Sequence, residues 1–262
     1  MGNLGKQPAD ATASKFYVTA VERAMRVLTA FDATHTHLSL SQLSDITGLD
    51  ISAIQRFTYT LVALGYLRRD EETKKFEVTP RLLDFSHIYL SANDICAKAT
   101  PYLQRLAHET EEVVNLSVLD GTDMVLVSRI VSRHAINPNI QVGSRMPAFC
   151  TASGLAWLSA SSDAEVDAIL SASMLHPYTR NTQTKPADIK RRLQGIRKDG
   201  YVYTEEEYRL GSVSTAGPIR DAKGRVQAAL SISVSTPRWN KAVDAKRYAD
   251  LVLATCAAIS SR

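Results

Sequence analysis

Ser52, Gln55, Arg56 and Tyr59 are spaced so that a helix would carry them on one side. Such a side can read DNA. Arginine offers paired donors to the acceptors of a guanine edge, glutamine pairs with adenine, and serine or tyrosine reaches phosphates or bases. Arg68, Arg69, Lys74 and Lys75 follow closely, and four cations on one hairpin suit phosphate neutralisation, which is a local matter. A third set lies far downstream, where Cys150 and Thr151 precede a helix opening at Ser153-Gly154. The free N–H groups and positive dipole end of a helix start suit an anion.

Catalytic chemistry finds little support. The six histidines, His35, His37, His87, His108, His134 and His176, make no HExxH, and His108-Glu109 lacks a second histidine. No CxxC pair, GxGxxG loop, phosphate-loop motif or GxSxG elbow occurs. Cys150 with distant His134 is the one combination open to thiol catalysis, against the commoner reading of a buried, inert cysteine. No enzyme, metal or cofactor is expected.

The reading groups need two helices to hold them. Ser39 with Gln42 is a capping-box pattern that starts a helix at Leu40, and Gly48 stops it. Asp50 suits the next N-cap, and a second helix runs from about Ile51 to Leu64 with Ile51, Ile54, Phe57, Leu61 and Leu64 inward. Upstream, Thr19 with Glu22 is a further capping box, and Val21, Ala24, Leu28 and Phe31 form the stripe of a supporting helix. Strands at Tyr66 to Arg69 and Lys75 to Thr79, ended by Pro80, complete a winged helix-turn-helix.

Length and composition bound the rest. The chain has 262 residues, 45% of them hydrophobic, enough for two compact domains. Residues 1–97 hold ten Lys and Arg against eleven Asp and Glu, so the overall +4 charge comes from the other half and is no argument for DNA. No apolar stretch approaches the roughly 18 residues that span a bilayer, and no signal core precedes residue 16. Cys96, Cys150 and Cys256 are odd in number and widely spaced, which fits free thiols in a reducing, cytoplasmic setting. Four segments are expected: a flexible arm over 1–15, the winged domain over 16–80, a linker helix over 81–97, and a larger domain over 98–262. In the linker, Leu82, Phe85, Ile88 or Tyr89, and Ile95 sit near helical spacing. That pattern serves equally a helix packed on a second subunit and one packed on its own domain.

The larger domain begins with a helix through Pro101, Leu103 and Leu106. Strands follow at Val113 to Leu119 and Asp123 to Val131, joined across Asp120-Gly121, with another through Ile136 to Val142. Helices fit Ser153 to Ala160, Ala164 to Ser171 and Pro186 to Lys198. Strands return at Tyr201 to Thr204, Ser212 to Ile219 and Arg225 to Ser235, before a last helix at Lys241 to Ile259. This mixed order predicts an α+β sheet flanked by helices, able to enclose a pocket.

From about Tyr17 to its end the chain resembles the IclR-type transcriptional regulators. The resemblance rests on ISAIQRFTYTLVALGYL at 51–67, VGSRMPAFCTASGLAWLSA at 142–160, EEEYRLGSVSTAGPIRD at 205–221 and RVQAALSISVS at 225–235. The SRMPAFCTASG and RFTYTLVALGYL forms are most similar to the branch governing aromatic-acid catabolism through the β-ketoadipate pathway. The resemblance implies a winged helix-turn-helix, a linker helix and a GAF-like effector domain. The DNA contacts expected are Ser39, Ser52, Gln55, Arg56, Tyr59, Arg68, Arg69, Lys74 and Lys75. Effector contacts carried over are Met146, Phe149, Ala152, Ser153, Gly154, Glu206, Ser214, Ser231 and Ser233. Met146 and Phe149 would wall the apolar part of a ligand and the three strand serines would supply hydroxyls, although relatives often have Cys at Ser214 and Asp near Glu206. Read by themselves, the alternating serines mark one strand face, and Glu205 to Glu207 form a solvated run.

The implied function is ligand-responsive control of a catabolic operon by a small organic carboxylate of aromatic type. The partners are a partly palindromic double-stranded operator, a second copy as dimer or dimer of dimers, and RNA polymerase as a candidate contact, without a membrane. The alternative is a ligand sensor whose helix-turn-helix serves protein association.

Overall fold

The computed structural model describes residues 14–134 and 140–260. Two compact units divide between Tyr89 and Leu90. All but two residues of the expected arm fall outside the described residues.

In the first unit, α1 (Thr19–Leu28), α2 (Leu40–Thr47) and α3 (Ile51–Ala63) precede a hairpin of β1 (Leu67–Arg69) and β2 (Phe76–Val78). The caps act at the expected places. The Ser39 hydroxyl accepts from Gln42 N, and the Gln42 side chain accepts from Ser39 N at 3.0 Å. Gly48 then leaves α2 with φ of 69°, a left-handed turn that favours glycine. Asp50 caps α3 by accepting from Ala53 N at 2.8 Å. Leu38 pairs with Phe76 as an antiparallel bridge, giving the wing a third short rung.

Three details of the first unit differ from expectation. Thr19 is already helical, so Val18 occupies the N-cap and no side chain caps α1. Val21 is 60% exposed, and Val27 with Ala30 carries the buried side instead. On α3, Ile51 and Leu64 are more than half exposed, while Thr58 turns inward with Ile54 and Leu61. Thr58 can do so because its hydroxyl donates to Ile54 O at 2.9 Å, which removes the cost of an unpaired buried polar group.

The expected linker is broken in two. A 3-10 turn at Pro80–Leu82 leads into α4 (Leu83–Ala92), and Asn93 then caps α5 (Asp94–Thr110) through Ile95 N. The helix expected near Lys98 therefore starts earlier, and Pro101 lies inside it at an exposed position. Cys96 joins the core of the second unit.

That unit continues with β3 (Val113–Asp120), β4 (Asp123–Ile130) and β5 (Arg145–Pro147), then α6 (Ala152–Ala160), α7 (Asp163–Ala172) and α8 (Pro186–Asp199). It closes with β6 (Val202–Glu205), β7 (Ser212–Arg220), β8 (Val226–Ser235) and α9 (Lys241–Ser260). The six strands form one antiparallel sheet in the order β5-β4-β3-β8-β7-β6. One face packs Leu116, Leu230 and Ile232 against α5 and α9; the other packs Met124, Ala216 and Ala229 against α6, α7 and α8. This is the α+β class that mixed element order implies. The strand expected through Ile136 to Val142 lies partly outside the described residues, and 140–142 are not strand. Among the described residues, no helix is long and apolar enough to cross a membrane.

Candidate functional site: the recognition helix and the effector cavity

In the first unit the four residues expected to read DNA share the exposed side of one helix. Ser52, Gln55, Arg56 and Tyr59 are all exposed on α3, opposite its buried residues Ile54, Thr58 and Leu61, and Tyr59 is 77% exposed. Arg56 is the one charged residue of α3. Ser39 is occupied by its cap to α2.

The wing's four cations are not equivalent. Arg68 is paired with Glu77, which also meets His37 at 3.2 Å, and Lys74 lies 3.4 Å from Glu71. Arg69 covers the Phe76 ring at 5.7 Å. Lys75 carries no ion pair among the described residues. The tip turns on Asp70, whose carboxylate accepts from the backbone and hydroxyl of Thr73 and is held below the usual carboxylate range by those bonds. Exposed pairs of this kind contribute little, so Arg68 and Lys74 remain available to phosphate.

In the second unit a cavity of about 110 Å³ opens on the α6 side of the sheet. That volume suits a molecule of a few heavy atoms to a small ring, since a single water needs only about 10–15 Å³ by the same measure. Of the nine expected effector residues, Met146, Ala152, Ser153, Ser214, Ser231 and Ser233 line it. The other three stand behind the wall. Phe149 is 1% exposed and packs toward Tyr178, with ring centroids 6.3 Å apart. Gly154 is pressed against the backbone of Ala148. Glu206 spends its carboxylate on Gly211 N and the Thr236 hydroxyl, at 2.8 and 3.2 Å.

The acidic run is therefore not merely solvated. Glu207 lines the cavity and forms a two-point pair with Arg192 at 2.6 and 2.8 Å. Thr179 and Thr182 donate to the carbonyls of Glu206 and Glu207, both at 2.6 Å, fixing this turn beside the cavity. Arg192 neutralises Glu207, and the lining also carries the guanidinium groups of Arg129 and Arg209.

Several lining residues carried no signal of their own in the sequence. Asn115, Arg129, Thr204 and Tyr208 reach the cavity because of strand register or turn geometry. Met146 and Tyr208 line it together with Val113, Ile140 and Val234, and Tyr208 meets Tyr178 edge-on at 5.0 Å. Burial pulls the Arg129 guanidinium below the usual arginine range, yet arginine stays charged.

Thiol chemistry is unsupported by this environment. Cys150 lines the cavity together with His134, but burial and then the Glu207 carboxylate push its thiol far above the usual range. A nucleophilic cysteine needs the opposite shift. Cys96, Cys150 and Cys256 are all free and buried. Among the described residues no group of acidic, histidine or cysteine side chains is placed to hold a metal.

Comparison with known proteins accounts for both units. Residues 20–71 match the IclR helix-turn-helix domain, and residues 87–261 match the C-terminal domain of the bacterial transcriptional regulator IclR. The Pca regulon regulatory protein of Pseudomonas putida is 31% identical over 239 residues, covering 91% of this chain and 81% of that protein. Among solved structures, a chain from Rhodococcus sp. RHA1 superposes with a TM-score of 0.81 at 32% identity, covering 94% of this chain and 98% of its own. An IclR homologue of Microbacterium hydrocarbonoxydans, complexed with 4-hydroxybenzoate, shares the fold with a TM-score of 0.78 at 23% identity, covering 92% and 98%. With both units matched, and nearly the whole chain aligned at this identity, the protein belongs to the IclR family of DNA-binding bacterial transcriptional regulators.

Proposed function

We propose that this regulator acts in the cytoplasm to control a catabolic operon, and that a small organic carboxylate, aromatic in preference, switches it from the cavity of the second unit. The observation that carries this reading is the cavity's composition: the cations Arg129 and Arg209, a row of strand hydroxyls that begins beside Arg129, and the larger side chains of Met146 and Tyr208. A flat acid has an anionic end and an apolar body, and these walls complement both. The α6 start adds its dipole, with Ala152 and Ser153 at the cavity edge. Two relatives point the same way, one a Pca regulator by name and one complexed with 4-hydroxybenzoate.

Calorimetry with benzoate, hydroxybenzoates and short keto acids tests the ligand class. At least one acid should bind stoichiometrically and change operator affinity, because a ligand shifts a population only through unequal affinity for its states. Failure of every acid to bind would sink the reading.

The operator is proposed to be partly palindromic and read by a homodimer or dimer of dimers, with RNA polymerase as a further contact. The apolar residues of α4 support self-association, since Leu83, Phe85, Ile88 and Tyr89 are each at least half exposed. Phe85, Ile88 and Tyr89 fall on one side of this helix and form a patch that water does not favour. Ile88→Asp should shift the protein toward monomer in sedimentation and weaken operator binding. An unchanged sedimentation coefficient would remove α4 from the interface.

A further inference from the structure

Four adjacent strands bring their polar side chains into a single row. Register sets Arg129 of β4 opposite Asn115 of β3, Asn115 opposite Ser231 of β8, and Ser233 of β8 opposite Ser214 of β7. All five line the cavity. Hydrogen bonds run along the row. Arg129 Nη1 donates to Asn115 Oδ1 at 2.9 Å, and Asn115 Nδ2 donates to Ser233 Oγ at 3.4 Å and Ser231 Oγ at 3.5 Å. The hydroxyls of Ser233 and Ser214 lie 3.0 Å apart.

The direction of these bonds is dictated from one end. A guanidinium has donors only, so it selects the oxygen of Asn115 and leaves the amide nitrogen facing the serines. That nitrogen can only donate, so Ser231 and Ser233 receive a bond at oxygen and keep their hydroxyl hydrogens for other partners. Ser214 and Ser233 share one hydrogen between them, whichever gives it. One hydroxyl hydrogen from that pair and the one on Ser231 are left over, on a wall that begins with a cation.

We propose that Arg129, acting through Asn115, polarises the serine row into a donor surface that selects a carboxylate head group over the neutral amide of the same shape. This rests on the reading that the cavity holds an organic acid, and adds which residues make the choice. Asn115 is a positioning residue. Its substitution should alter preference more than occupancy, because the serines remain in place while their polarity changes.

Asn115→Asp is the informative variant. An aspartate accepts at both oxygens, so it can pair with Arg129 on one side and take the serine hydrogens on the other. The serine oxygens would then turn toward the ligand and the positive end of the row would be neutralised. Arg129→Gln instead removes the fixed donor, so Asn115 can face either way and discrimination should fade without reversing.

The test is calorimetry on the full-length protein with benzoate and benzamide, 4-hydroxybenzoate and 4-hydroxybenzamide, and pyruvate and pyruvamide. Wild type should favour the acid of the best-bound pair by about tenfold or more, as polar sites do when a ligand leaves donors unmatched. Asn115→Asp should cut that ratio by about tenfold or more, and Arg129→Gln should give an intermediate ratio. A wild-type ratio in a folded Asn115→Asp protein overturns the polarity argument and leaves acid sensing intact. Should Asn115→Asp not fold by circular dichroism, an unchanged ratio in Arg129→Gln overturns it alone. If no acid binds the wild type, the acid-sensing reading and this proposal fall together.

Discussion

Gly154→Ala should lower the unfolding midpoint of the second unit by roughly 5–10 °C, whereas Gly195→Ala should raise it slightly. The two glycines share a helical setting, one in the first turn of α6 and the other inside α8. Helix propensity alone favours alanine at both by about 0.5–1 kcal/mol. Space decides otherwise at one of them. A Cβ on Gly154 would lie 2.1 Å from the carbonyl oxygen of Ala148 and 2.3 Å from its Cα, both backbone atoms that cannot swing aside. A Cβ on Gly195 meets nothing within 4 Å. Forcing an extra carbon into packed structure typically costs about 1–3 kcal/mol and sometimes more, so the clash outweighs propensity at Gly154. The damage should also reach function, because Cys150, Thr151, Ala152 and Ser153 line the cavity and lie between the colliding residues or beside them. Differential scanning calorimetry on both variants checks this. Equal midpoint shifts of the same sign would mean that α6 is not held against the Ala148 turn as described.

Local chemistry made much of this molecule legible, and long-range register hid the rest. Ser39, Gln42, Gly48 and Asp50 announce two helix boundaries through bonds made within four residues, and the structure places those boundaries accordingly. Asp120-Gly121 gives a hairpin for the same reason, with Gly121 at φ of 64°. Apolar spacing over 81–97 suggests one continuous helix, and the structure breaks it at Asn93, which caps α5 through Ile95 N. Burial of Val27 rather than Val21 depends on where neighbouring helices lie, and no local signal reports that.

The cavity divides along the same line. Ser231 and Ser233 stood out through alternation in one strand, and Ser153 through its place at a helix start. Asn115 and Arg129 are separated by a hairpin from each other and by more than a hundred residues from Ser231, so only the sheet brings them together. Resemblance carried Glu206 and Phe149 to the site, but a left-handed backbone at Glu206, φ of 54°, directs that carboxylate to Gly211 N and Thr236. Its neighbours Glu207 and Tyr208 face the cavity.

Arg56→Ala should weaken specific operator binding by about 1–3 kcal/mol, roughly 5- to 150-fold, and relax preference at a single base position. Arg56 is the sole charge on α3, it is exposed, and no ion pair among the described residues competes for it. Its bidentate fork suits the two acceptors of a guanine edge, which a neighbouring glutamine or serine cannot replace. Lys75 provides the contrast. It is partly exposed on the wing and free of ion pairs among the described residues, so it suits phosphate, and Lys75→Ala should weaken binding to all sequences alike while lowering the salt slope by about one. Competition anisotropy against a set of single-base operator variants, repeated at several salt concentrations, separates the two behaviours. Loss of affinity that is uniform across sequences for Arg56→Ala, or selective for Lys75→Ala, would exchange their roles and place the wing rather than α3 against the bases.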